Sequence, residues 1–500
     1  MTFPTTHNYC TGMEELGSSL GVASSGNSRK RAWKGREVGV EPPAKRKRIT
    51  EDQVKGWTKE FNQESKNLLL RNVVVNAGLV QAATDTEEAR RVSHIFSNTA
   101  VGDVKATDQE SSGRCWIFAG LNVMRRFMCK QHNLTDFEFS QNYLAFWDKL
   151  ERANYYLQEI LKTKEKELDD PQVNWMVSDP IGDGGEWVFF ANLVEKYGVV
   201  PRSAMPETFH SGYTTKFNEI LENKLREFAR SLRDKGEASE EDLLEMKEKM
   251  LQQIYNVLVT FLGQPPETFT WEFKDNDEAI HTYKKLTPKK FLEDHVPDFK
   301  VGEQVVLTNM PQSDRPYYKK YEVTHYKNIS EGSAVTFINL PIWELKKFAV
   351  KSIKDGNPLW FGCDIDKGLH SELGVLSTKI YNFDMLFGSG EPLSKEDRIS
   401  YHQSSATHAM VLTGVNLDNS KPNRWQVENS WGDESGKGGF LTMTNEWFDE
   451  YVFDIVVDRK YLSRRVLSVL KESAIAIKPW EGIGKALLGS CTTCMSRCCC

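Results

Sequence analysis

Gln109-Glu-Ser-Ser-Gly-Arg-Cys-Trp-Ile-Phe118 is the stretch from which the fold of this chain is read. Ahead of it, Val101 to Asp108 predicts an extended approach, Ser111-Ser112-Gly113 is turn chemistry, and the run from Cys115 through Met128 predicts a helix. Cys115 then falls on the first turn of a helix, where the positive dipole end and free N–H groups favour a thiolate. A lone cysteine at a helix start is more often a small buried hydrophobe, so its chemistry depends on partners. Three are present. Gln109 offers an amide donor for a developing oxyanion beside the Cys115 N–H. His408 opens an apolar strand, and Asn429 heads Asn429-Ser430-Trp431-Gly432 at the end of another. An imidazole held through one ring nitrogen by an Asn amide aims its other nitrogen at a thiol.

The rest of the chain bounds what this constellation sits in. Its 500 residues, 39% hydrophobic and 27% charged, describe a globular chain of about two to four domain-sized units, and exclude collagen-like, wholly disordered and disulfide-framework classes. Sixty-four basic against 70 acidic residues give a net charge of −6, so global charge recommends neither nucleic acid nor an anionic membrane as the main partner. No apolar run approaches the roughly 18 to 20 residues of a membrane span. The first 28 residues carry no Lys or Arg and no apolar segment with a cleavage site follows, so no secretory signal is expected. Of nine cysteines, five crowd positions 491 to 500, leaving Cys10, Cys115, Cys129 and Cys363 for the body. That is no disulfide framework, and the expected compartment is reducing and cytoplasmic.

Residues 1–49 read as a disordered basic extension. Its two clusters, Arg29 to Arg36 and Lys45 to Arg48, suggest a bipartite nuclear import signal, with a weak nucleic-acid contact through Arg29 to Arg48 or a plain solvated tail as alternatives. Thr50 with Gln53 predicts a capping box, and Val54, Trp57 and Phe61 follow at helical spacing, so order is expected to begin there. Residues 50–200 read as a helical domain, with further helices over Ser140 to Leu161 and Glu186 to Tyr197, the latter closed by Gly198. Residues 201–265 read as an inserted helical hairpin with Phe217, Ile220, Leu221, Phe228 and Leu232 on its apolar face. Residues 266–473 read as a β-rich domain of antiparallel strands, Phe269 to Phe273, Val305 to Leu307, Leu359 to Cys363, His408 to Val415, Trp425 to Val427, Phe440 to Met443 and Val452 to Val457, interrupted by one helix, Ile342 to Lys354.

Gln109, Ser112 to Trp116, His408-Ala409 and Asn429 to Gly432 together resemble the papain-like cysteine peptidases. Five blocks in order, Gln109 to Phe118, Phe137 to Tyr143, Pro265 to Trp271, Trp360 to Asp364 and Val427 to Gly432, resemble the bleomycin hydrolase branch over about Thr50 to Leu488. The resemblance implies an α+β, papain-like fold with a helical left domain, an antiparallel β-rich right domain and an inserted helical hairpin. It implies Cys115 as nucleophile, His408 as general base and acid, Asn429 as its orienter, Gln109 as oxyanion donor and Trp431 as the indole over the His408–Asn429 bond. Gly184 and Gly185, in Asp183-Gly184-Gly185, would pair with the substrate backbone. Such chemistry requires neither metal nor organic cofactor.

Two departures from secreted relatives support that branch. Ser112 stands where those have a disulfide-bonded cysteine. Cys115 and His408 lie 408 − 115 = 293 residues apart, against about 130 to 150 in small papain-like enzymes. The resemblance further implies a homohexamer facing an inner cavity, peptide substrates, and a C-terminal arm, residues 474–488, lying in the cleft to enforce aminopeptidase action. Residues 489–500 read as a disordered tail or an artefact of the gene reading, with lipid attachment or a metal or redox role for Cys491, Cys494 and Cys498 to Cys500 as alternatives. The leading expectation is a cytoplasmic thiol aminopeptidase acting on peptides and bleomycin-like amides. Its rivals are a nucleic-acid-binding hexamer with secondary peptidase activity, and an endopeptidase or acyltransferase using the same residues.

Overall fold

The computed structural model describes residues 48–100, 102, 104–234, 236, 238–388, 392–481 and 484. The basic clusters up to Lys47 and the cysteine-rich tail lie outside the described residues. The chain divides into two compact units, Met1–Leu69 and Leu70–Cys500. In the first, Thr50 and Gln53 form the expected capping box at the head of the helix Glu51–Gln63. Val54, Trp57 and Phe61 lie on that helix but are exposed, so this apolar stripe does not open the packed core. The helix Ser65–Ala77 runs across the boundary of the two units.

The second unit builds a helical core around the helix Cys115–His132. Gln141–Lys162 starts where the Ser140 hydroxyl accepts from the Tyr143 N–H, and Trp187–Tyr197 stops at Gly198, whose φ of 73° suits a residue without Cβ. These helices bury Met124, Leu144, Phe146, Phe189 and Phe190 together. Gly120 allows the closest approach: a Cβ there would meet the Phe190 ring at 2.7 Å. The inserted hairpin is Thr215–Arg233 and Glu240–Leu262, ended by Gly263 at φ 84°. Phe217, Leu221, Phe228 and Leu232 are buried as their spacing predicts, whereas Ile220 is exposed at the edge of that face.

Against this core lies a 12-stranded sheet. Its central strands, in spatial order, are Val335–Asn339, Gln304–Thr308, Val452–Asp458, Leu359–Cys363, His408–Asp418, Lys421–Glu428 and Phe440–Thr444. The sheet is mixed rather than antiparallel throughout. Gln304–Thr308 runs parallel to Val335–Asn339, Phe440–Thr444 to Val375–Leu376, and Ile475–Ile477 to Lys319–Val323. Alternation along a strand reports which face is buried and carries no information on partner direction, which long crossover connections decide. Phe269–Lys274 leaves the large sheet and pairs only with Ile280–Leu286. More than one helix interrupts the β-rich half: besides Ile342–Lys354 there are short helices at Pro288–His295, Lys395–Ser400, Asn445–Tyr451 and Arg464–Val469. Each begins at a hydroxyl cap, Thr287, Ser394, Thr444 and Ser463, a local signal present in the sequence.

Candidate active site

Cys115 is the first residue of its 18-residue helix and is buried. Arg114 precedes it as N-cap without a side-chain cap bond, so no side chain competes for the first N–H groups of the helix. Arg114 is instead turned aside, its Nη2 2.8 Å from Glu207. The positive end of a five-turn helix therefore lies at Cys115, the arrangement that favours thiolate. The other described cysteines lack it. Burial pushes the Cys363 thiol well above its usual range, and Cys129 up to about 11.

His408 begins its strand directly opposite Cys363, and both His408 and Cys115 line one cavity of about 560 Å³. The His408 Nε2 lies 2.8 Å from Asn429 Oδ1, so that nitrogen carries the proton donated to Asn429, and Nδ1 is the nitrogen left for proton transfer. Asn429 Oδ1 also accepts from the Ser430 N–H at 2.8 Å. The Trp431 indole packs 4.9 Å from the imidazole, tilted by 35°. What joins strand to helix is an ion pair between Arg125, on the Cys115 helix, and Glu428, the residue before Asn429, both buried.

Gln109 is wholly buried. Its Oε1 accepts from the Ser430 hydroxyl at 2.6 Å and one Nε2–H donates to the Ser112 carbonyl at 2.5 Å. The amide is thereby fixed in orientation, and a primary amide has a second N–H. Gly184 and Gly185 line the cavity. A Cβ on Gly185 would meet the Trp116 indole at 2.5 Å, so this position excludes a side chain on packing grounds. Gly184 has open space around it, and its carbonyl accepts from Arg152 Nη2 at 2.6 Å. The structure thus brings Cys115, His408, Asn429, Gln109, Trp431 and the glycine pair into one neighbourhood from four separate segments.

Several residues of this neighbourhood escaped the sequence reading. In sequence Asp183 is only the start of a glycine turn, yet it is buried and its carboxylate accepts from the Gly113 N–H at 3.1 Å, Lys149 Nζ at 2.7 Å and the Thr214 hydroxyl at 2.5 Å. Its own carbonyl takes the Trp116 indole N–H at 2.8 Å. Burial would raise this carboxyl, but Lys149 and the hydrogen bonds outweigh it and hold the group well below the carboxylate range. Arg152, Glu186 and Asp454 also line the cavity. Nothing local in the sequence marks them, because their neighbours come from distant segments.

Residues 48–484 match the Peptidase C1-like family. The chain is 38% identical over 440 residues to Aminopeptidase C of Listeria monocytogenes, covering 88% of this chain and 99% of that protein. It is 37% identical over 446 residues to Bleomycin hydrolase of Homo sapiens, covering 87% and 98%. A solved structure, PepW from Lactobacillus rhamnosis, superposes with a TM-score of 0.85 at 36% identity, covering 88% of this chain and 99% of that one. With a helix-start thiol and a strand-start histidine lining one cavity, and with likeness along nearly its whole folded length, the chain belongs to the Peptidase C1-like family, the bleomycin hydrolase type of papain-like cysteine peptidases.

Proposed function

We propose that this peptidase removes N-terminal residues from peptides, and opens bleomycin-like amides, with Cys115 as nucleophile. In this reading the thiolate attacks the scissile carbonyl while His408, its Nε2 held by Asn429, keeps the proton that it later gives from Nδ1 to the leaving amine. The oxyanion is received by the Cys115 N–H and the second Gln109 N–H. Amine departure leaves a thioester on Cys115, and water activated by His408 hydrolyses it. Trp431 covers the His408–Asn429 bond from water. Gly184 and Gly185 flank the substrate chain in the cavity. The single observation that carries this reading is the His408–Asn429 hydrogen bond on the wall of the cavity that holds the helix-start thiol.

Relatives named Aminopeptidase C and Bleomycin hydrolase support exopeptidase action over endopeptidase action. The test compares a peptide amide with a free N-terminus against its acetylated form. Acetylation is expected to lower kcat/KM at least about 100-fold, the loss of one well-placed charged contact with its desolvation cost. Equal rates on both forms would make the enzyme an endopeptidase.

A homohexamer and a cytoplasmic location are inferred from the same resemblance. Light scattering that reads a single 57.2 kDa chain would exclude the hexamer. Nucleic-acid contact through Arg29 to Arg48 rests on residues almost all outside the described ones, and kin named as peptidases disfavour it as the main role.

A further inference from the structure

Among the carboxylates lining the cavity beside Cys115, Glu186 and Asp454 take no part in the reaction as written. Glu186 is the N-cap residue of the helix Trp187–Tyr197, a position where a side chain usually bonds the first turn, yet its carboxylate makes no cap bond. Among the described residues it has no hydrogen-bonding or ion-pair partner. It is half-buried and opens into the cavity. Across from it stands Asp454, buried on a strand at the register point opposite Gly362. The absence of a side chain at Gly362 makes room for this acid, since a Cβ there would lie 2.2 Å from Asp454 Oδ1. Both carboxylates also line a small inner chamber walled by Val306, Val335 and Phe337.

Two acids facing one space, Asp454 buried and Glu186 half-buried, favour a proton or a cation between them. The protein cation that acts on Glu186, Arg152, is already engaged: its Nε is 2.8 Å from Asp148 and its Nη2 donates to the Gly184 carbonyl. Seven acidic side chains line the cavity against three from Arg and Lys, so the space as a whole favours positive charge. Without a cation the pair is driven toward protonation. Burial raises Glu186, with Asp454 and Cys115 adding to it against Arg152, and burial pushes Asp454 up to about 7.

We propose that Glu186 and Asp454 receive a cationic group of the substrate, an ammonium or guanidinium carried either by the free N-terminus or by a Lys or Arg side chain. This deepens the peptidase reading and rests on it. The open carboxylate of Glu186 makes the first contact. Asp454 supplies the second charge from behind, and the apolar chamber excludes the water that would otherwise solvate both. The acids thereby set substrate preference without touching the scissile bond.

The experiment uses the full-length enzyme and its Glu186→Gln and Asp454→Asn variants, with active sites counted by titration of the reactive thiol. Four fluorogenic amides are compared: N-terminal lysine, its neutral isostere norleucine, and the acetylated form of each. Wild-type activity is first shown to vanish on thiol alkylation. In E186Q, a fall of roughly 10- to 100-fold in the lysine-to-norleucine ratio of kcat/KM supports the site with the side chain as cation source. A similar fall for both free-amine substrates, with little change for acetylated ones, supports it with the N-terminus as source. Ratios within twofold of wild type on all four substrates overturn it. Because Asp454 is buried in the sheet and D454N can fail to fold, E186Q decides alone. Unchanged ratios in an alkylation-sensitive enzyme overturn only this site, whereas alkylation-resistant activity overturns both it and the catalytic reading.

Discussion

Cys115→Ala is expected to lower kcat by at least about 10⁴-fold while leaving the denaturation midpoint within experimental scatter. The side chain removed is small and buried at a helix start, where alanine is well tolerated and only one sulfur atom of packing is lost. What disappears is the atom that forms the acyl intermediate. The comparison thiols give the assay its contrast. Cys129 is held up to about 11 and Cys363 well above the thiol range, both chiefly by burial, so neither supplies appreciable thiolate at neutral pH. Alkylation followed by peptide mapping should therefore modify Cys115 first, and Cys129→Ala should keep full activity. Residual turnover above one per cent in Cys115→Ala would remove the nucleophile assignment.

Asp183→Ala is expected to destabilise the protein by about 3–5 kcal/mol, because it leaves the buried Lys149 ammonium without its counter-charge. The same change strips partners from the Gly113 N–H and the Thr214 hydroxyl, and so loosens the loop that leads into Cys115 and the start of the inserted hairpin. Activity should fall with stability. Adding Lys149→Met removes the orphaned charge, so the double variant should recover part of the lost denaturant midpoint instead of losing the sum. The pH dependence has a definite sign. Asp183 is depressed in the folded state, so its contribution is present above the unfolded value of 3.8 and is lost as the pH falls below it. An unchanged midpoint in Asp183→Ala, or strictly additive losses in the double variant, would refute the network.

The helices of the catalytic half were legible because their signals are local. Ser140 and Gly198 mark ends by hydrogen bonds within a turn of the chain, and both stand at the ends they predict. Short helices such as Asn445–Tyr451 carried the same kind of cap and went unread, since their length gives no visible period. Strand positions were legible too, while their directions were not: parallel pairing of Gln304–Thr308 with Val335–Asn339 depends on how the intervening chain crosses, which no alternation records.

The site divides along the same line. Cys115, Gln109, His408 and Asn429 stood out because each sits in a distinctive short motif, and the resemblance to a family joined them across 429 − 109 = 320 residues. Asp183, Arg125 with Glu428, Glu186 and Asp454 have no such motif. An ionisable side chain gains its role from what faces it and from how much water is removed, and both are set by segments far away in sequence. Residue types, the ends of the long helices and the four candidate site residues were thus determined by the sequence alone. The tertiary structure decided which carboxylate is neutralised by Lys149, which remains open to a ligand, and where charge is tolerated around the thiol, because electrostatic energy depends on distance and burial rather than on order along the chain.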